Sequence, residues 1–165
     1  RRAPFHSGTP GTAPTLECVA GGVRPWTSMK RDPRLRGLSS EHHQALVIAR
    51  TLIAGRDWTA DDGARLSRRF ELELEPHFRV EEEVLLPALR DAGAIALADR
   101  VVDDHAFLRA KVAEAAAGDG HAARSLGERL QEHVRFEERE LFPACEELLA
   151  SEVLDGVARR SPKEG

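Results

Sequence analysis

Residues 77–88, HFRVEEEVLLPA, and residues 133–144, HVRFEERELFPA, write the same chemistry twice: an imidazole, two adjacent carboxylates starting four residues on, then Leu-x-Pro-Ala. Side chains four apart share one face of a helix, so His77 with Glu81, and His133 with Glu137, each offer one nitrogen and one oxygen donor to the same place. Two further histidines, His42 in SSEHHQAL and His105 in VDDHAFLRA, lie near the starts of the segments preceding each copy. Nitrogen and oxygen donors without thiolate suit iron, zinc, nickel or copper. Two sets of two imidazoles and one carboxylate amount to a facial triad for each of two metals, and iron is the expected ion.

A less interesting reading competes with this one. A single His-x-x-x-Glu is ordinarily an exposed helical pair, and a doubled one can record an ancestral duplication that kept only salt bridges. What favours a metal is the identical flanking Arg, Glu-Glu, Leu, Pro and Ala, and the position of all four histidines on apolar stripes. His133 and Glu137 continue the three-and-four spacing of Leu126 and Leu130, His42 stands four before Leu46, and His105 lies between Val101 and Leu108. Burying such groups unpartnered costs several kcal/mol, which coordination removes.

The elements that must position these residues are helices. Ser39 and Ser40 can cap a first helix with Leu38, Ala45, Leu46, Ala49, Leu52 and Ile53 inward, ended by residues 55–57. A second starts near Asp61 or Asp62, carries Leu66, Phe70, Leu74, Phe78, Leu85 and Leu86, and stops at Gly93, with Pro76 and Pro87 expected to kink or shorten it. A third carries Ile95, Leu97, Val101, Val102, Leu108 and Val112 up to Gly118 and Gly120. The fourth runs from about His121 to Leu149, interrupted by Pro143. Short connections between four long helices predict an all-α, up-down-up-down four-helix bundle over residues 36–158. Residues 1–35 are expected as a tail, loop or disordered, since the first 28 are rich in Gly, Pro, Ser and Thr. Met29 is the only methionine and a candidate start, which would make the residues before it non-native.

Composition narrows the function classes. The 165 residues fit one domain, and 24 basic against 28 acidic residues leave a net charge of −4 with no basic stripe for nucleic acid. Cys18 and Cys145 form no CxxC or zinc spacing, so a reducing, cytoplasmic setting is expected. No apolar run is long enough to span a bilayer.

With these residues in view, residues 38–150 resemble the hemerythrin-like, HHE cation-binding family. The resemblance implies a four-helix bundle around a non-haem di-iron centre with His42 on the first helix, His77 and Glu81 on the second, His105 on the third, and His133 and Glu137 on the fourth. It further implies that the glutamates bridge two irons, with zinc or another divalent metal as a substitute, and that the ligand is dioxygen, peroxide or nitric oxide. Oxygen-carrying hemerythrins have another histidine four residues after the third-helix one; Arg109 stands there. His43 points about 100° from His42, on the helix flank or as a fifth imidazole. Glu82 and Glu138 are expected in water or in support of the ligands, and Arg109 as a surface charge or paired with a site carboxylate. His6 and His121 are expected as non-ligands, Cys145 as a packed thiol and Trp58 as a helix-entry packing residue. A binder or sensor of a small oxidant, or of iron or redox state, is thus the leading expectation. A di-iron oxidoreductase acting on peroxide is the alternative, although the chain has no tyrosine and no Glu-x-x-His. A metal-free helical interaction module is the third, and no partner protein is legible.

Overall fold

The computed structural model describes residues 31–55 and 57–161; most of the expected tail, and Met29, lie outside them. Among the described residues the chain is all helical. A 3-10 turn, Pro33–Leu35, leads into α1, Arg36–Ala54; then come α2, residues 60–91, α3, Ile95–Ala116, α4, residues 120–148, and α5, Ser151–Arg160. The fifth helix was not foreseen. It packs on the 3-10 turn and on α2, burying Leu154 and Val157.

Local chemistry sets the ends. The Asp32 carboxylate accepts the Arg34 N–H and Pro33 opens the first turn, so α1 begins ahead of the Ser39–Ser40 cap read from the sequence. Those serines lie inside α1, where the Ser39 hydroxyl donates to Glu138 and Ser40 to the Gly37 carbonyl. Thr59 and Asp62 form a capping box at the start of α2, and the Asp119 carboxylate accepts from His121 and Ala122 N–H at the start of α4. Gly93 and Gly118, at φ +86 and +103, take the left-handed turns after α2 and α3.

Pro76, Pro87 and Pro143 do not break their helices. Each follows a π turn: Phe70–Leu74, Glu81–Leu85 and Glu137–Leu141. The residue before each proline donates five back, Glu75 to Phe70, Leu86 to Glu81 and Phe142 to Glu137. A proline has no N–H and its ring collides with the carbonyl four residues back; widening the preceding turn relieves both, and the helix continues.

The helices close a ring, α1 against α2, α2 against α3, α3 against α4, and α4 back against α1. Two apolar clusters fill it. One contains Ala45, Leu74, Phe78, Leu108, Leu130 and Val134, the other Leu38, Leu85, Val101, Leu141, Phe142 and Leu154. On every long helix a candidate ligand stands where one cluster gives way to the other: His42 between Leu38 and Ala45, His105 between Val101 and Leu108. Two residues expected inward on α3 face out, Ile95 at 55% and Val102 at 38% exposure. Val101 already fills the inward position, and Ile95 sits at the helix start. No helix of the described residues is long and apolar enough to cross a membrane.

Candidate metal centre

All six residues singled out by spacing, His42, His77, Glu81, His105, His133 and Glu137, are buried, none more than 4% exposed. They reach one locus from four helices. His77 Nε2 lies 3.4 Å from Glu81 Oε1 and His133 Nε2 lies 2.9 Å from Glu137 Oε1, each pair on its own helix. Across helices, His42 Nε2 lies 3.0 Å from Glu137 Oε2, and His105 Nε2 lies 3.3 Å from Glu81 Oε2. The donors form two groups, His42, His77, Glu81 and Glu137, and Glu81, His105, His133 and Glu137, with ligand atoms within 4.8 Å of one another in each. The facial-triad count allotted one carboxylate per group, whereas the family resemblance implied shared ones; here both glutamates belong to both groups.

This donor set fits a pair of metal ions. The four carboxylate oxygens of Glu81 and Glu137, with Nε2 of His105 and His133, are buried without a hydrogen-bond partner of acceptable geometry. Buried polar atoms are ordinarily satisfied. Two ligand atoms each about 2.1 Å from one metal and at right angles are about 3.0 Å apart, which matches the 2.9 to 3.4 Å separations.

Every imidazole is held from behind. The Nδ1 atoms of His42, His77, His105 and His133 meet Glu138 at 2.7 Å, Glu41 at 2.8 Å, Glu82 at 2.8 Å and Asp104 at 3.3 Å. Such a carboxylate accepts a hydrogen bond from Nδ1–H, which keeps the proton there and leaves the Nε2 lone pair facing the site. Glu82 and Glu138 thus support the histidines, while Glu41 and Asp104 escaped the sequence reading. A signal was available, because each is an acid directly preceding a site histidine. The pattern has an approximate two-fold: exchanging α1 with α3 and α2 with α4 maps His42–Glu138 onto His105–Glu82, and His77–Glu41 onto His133–Asp104.

In the chain alone, these charges balance one another. Burial lowers the proton affinity of His42, His77 and His133, but the carboxylates outweigh it: Glu137 and Glu138 raise His42, Glu81 and Glu41 raise His77, and Glu137 with Asp104 carries His133 up to about 10. Burial pushes Glu81 and Glu137 up, and each also repels the other's negative charge; His77 and His105 nevertheless hold Glu81 low, and His133 and His42 hold Glu137 well below the usual carboxylate range. Glu138 falls to about 2 against its burial, through hydrogen bonds from His42, Ser39 and Arg31.

The neighbours sort cleanly. Arg109, at the position where carriers have histidine, bonds Glu82 at 2.7 Å and Glu75 at 2.9 Å, so it is tied to the site through a carboxylate. His43 and His121 are exposed and outside both groups. Cys145 is a buried free thiol, pushed up to about 12 chiefly by burial. Trp58 donates its indole N–H to the Ala115 carbonyl at 2.9 Å. A cavity of about 10 Å³ adjoins the first group, lined by Glu41, His42, Ala45, Glu73, His77 and Leu130 among others.

A helical domain with interior histidines and shared glutamates belongs to the class of helical cation-binding proteins. Residues 34–145 match the family model described as the hemerythrin HHE cation binding domain, and the chain belongs to that family. No curated protein matches significantly, and neither does any solved structure.

Proposed function

We propose that the chain binds two non-haem iron ions between Glu81 and Glu137, one also held by His42 and His77, the other by His105 and His133. There it binds or senses a small oxidant: dioxygen, peroxide or nitric oxide. The four long helices are read as an up-down-up-down bundle around the pair, with α5 as an addition at one end. The observation that carries this reading is the sharing of two buried, unsatisfied glutamates by both ligand groups.

When bound, ferrous iron supplies open coordination positions and one-electron chemistry. The chain supplies the rest. Glu41, Glu82, Asp104 and Glu138 keep each Nδ1 protonated and each Nε2 aimed inward. The apolar clusters on either side keep bulk water out. The adjoining cavity, of about 10 Å³, has room for about one water-sized molecule, too little for a bulky substrate.

The test is metal content and optical spectra after anaerobic loading with ferrous iron, for the natural chain and for His77→Ala with His133→Ala. About two irons per chain, with oxygen-dependent charge-transfer bands lost in the double variant, is the expected result. Zinc alone, or no metal in either protein, overturns it and leaves a metal-free helical module. Sustained peroxide turnover would move the assignment to an oxidoreductase.

A further inference from the structure

The outer carboxylates of His42 and His105 are each gripped by an arginine, in the same construction built from unrelated places in the chain. Arg31, ahead of α1, donates through Nη2 to Glu138 Oε2 at 2.7 Å and to the Glu138 carbonyl at 3.0 Å, and through Nη1 to Glu146 at 3.0 Å. Its guanidinium lies over Phe142, 5.1 Å from the ring centre, and Phe142 is stacked on His42 at 5.3 Å and 5°. Arg109, on α3, donates through Nη1 to Glu82 at 2.7 Å and through Nε to Glu75 at 2.9 Å. It lies 5.6 Å from the centre of Phe78, which is stacked on His105 at 3.8 Å and 15°.

The two-fold that exchanges His42 with His105 does not produce this match. By chain offset it carries Arg109 onto Leu46 and Phe78 onto Val134, so duplication alone does not explain two such grips. Each arginine instead reaches one histidine twice, through the carboxylate at Nδ1 and through the phenyl ring on its face. Glu138 and Glu82 are 32% and 29% exposed, free to swing into water unless tied.

We infer that Arg31 and Arg109 are positioning residues, each setting the affinity of one metal position: Arg31 that of His42 and His77, Arg109 that of His105 and His133. The inference rests on the dimetal reading above. It makes the segment before α1 part of the metal centre. Loss of an outer partner lets the imidazole turn, and such losses typically weaken metal binding by about 10- to 100-fold.

The test is cobalt(II) titration of the full chain against a competing chelator, followed by visible absorption, with helicity and melting of the metal-free proteins as a fold control. The natural chain takes up two ions of measurable affinity. R31Q weakens one position by about 10- to 100-fold and spares the other, and R109Q does the reverse. In a His105→Ala background R31Q still weakens the remaining position and R109Q does not; in a His42→Ala background the order inverts. Arg31→Lys, which keeps the charge but not the fork, restores affinity only in part. Equal loss at both positions, loss that tracks melting temperature, or no loss beyond about twofold against the expected effect overturns the inference while leaving the dimetal reading intact. If R109Q does not fold, the R31Q and Arg31→Lys comparison decides by the same criteria. A natural chain that binds fewer than two ions overturns the dimetal reading and this inference with it.

Discussion

An imidazole ligates only through the nitrogen that carries no proton, so the partner at the other nitrogen decides whether a histidine is a ligand at all. Here four carboxylates stand at four Nδ1 atoms. The protonation of the chain alone follows from the same charges. His42, His77 and His133 are raised above their ordinary value, so their protons stabilise the fold below pH 6.5, and that contribution disappears as pH rises through the raised values, about 10 for His133. Metal must displace those protons. At pH 7 metal uptake is therefore expected to release protons, and affinity to be higher at pH 8 than at pH 6. Calorimetry in two buffers of different ionisation enthalpy measures the number; no release would show that these histidines are not protonated at pH 7 in the metal-free chain.

At the scale of elements, two features make the site possible. π turns begin at Glu81 and Glu137 themselves, so the two glutamates stand where each helix widens ahead of its proline. Close approach of α1 and α4 is the second. A Cβ added at Gly127 would sit 2.8 Å from the Ala49 carbonyl oxygen and 2.9 Å from Leu52 Cβ, too near backbone to be absorbed by a side-chain shift. Alanine is the better helix former by about 1 kcal/mol, yet Gly127→Ala is expected to destabilise by about 1 to 3 kcal/mol, because overpacking outweighs propensity. Urea unfolding of the metal-free protein decides it, and a stabilised variant would mean the helices can separate without cost.

For the whole molecule, the consequence is a core with carboxylates in its middle. Glu81 and Glu137 are fully buried and repel one another, and only the imidazoles offset them in the chain alone. Bound cations replace that compromise, so metal should stabilise strongly. At a thousandfold excess over Kd, each of two ions contributes about 4 kcal/mol, and a domain of this size loses about 2 to 4 °C per kcal/mol. Chelating both is expected to lower the melting temperature by about 15 to 30 °C, measured by calorimetry before and after chelator. An unchanged midpoint would mean that the cluster is self-sufficient.

The helical class, the family and the six residues that meet at one locus were legible in the sequence; for the two motif pairs the reason is that helical spacing turns His-x-x-x-Glu into adjacent donors on an apolar stripe whatever the rest of the chain does. Linear spacing says nothing of which helix lies beside which. The partners across helices therefore came only from the tertiary structure: Glu41 behind His77, Asp104 behind His133, Arg31 gripping Glu138, and Glu82 as the carboxylate that Arg109 pairs with. The prolines were read as able to shorten α2 and to interrupt α4 for a related reason. A proline announces a missing hydrogen bond, and whether the chain answers with a break or a π turn is decided by which side chains the packed core requires to face inward.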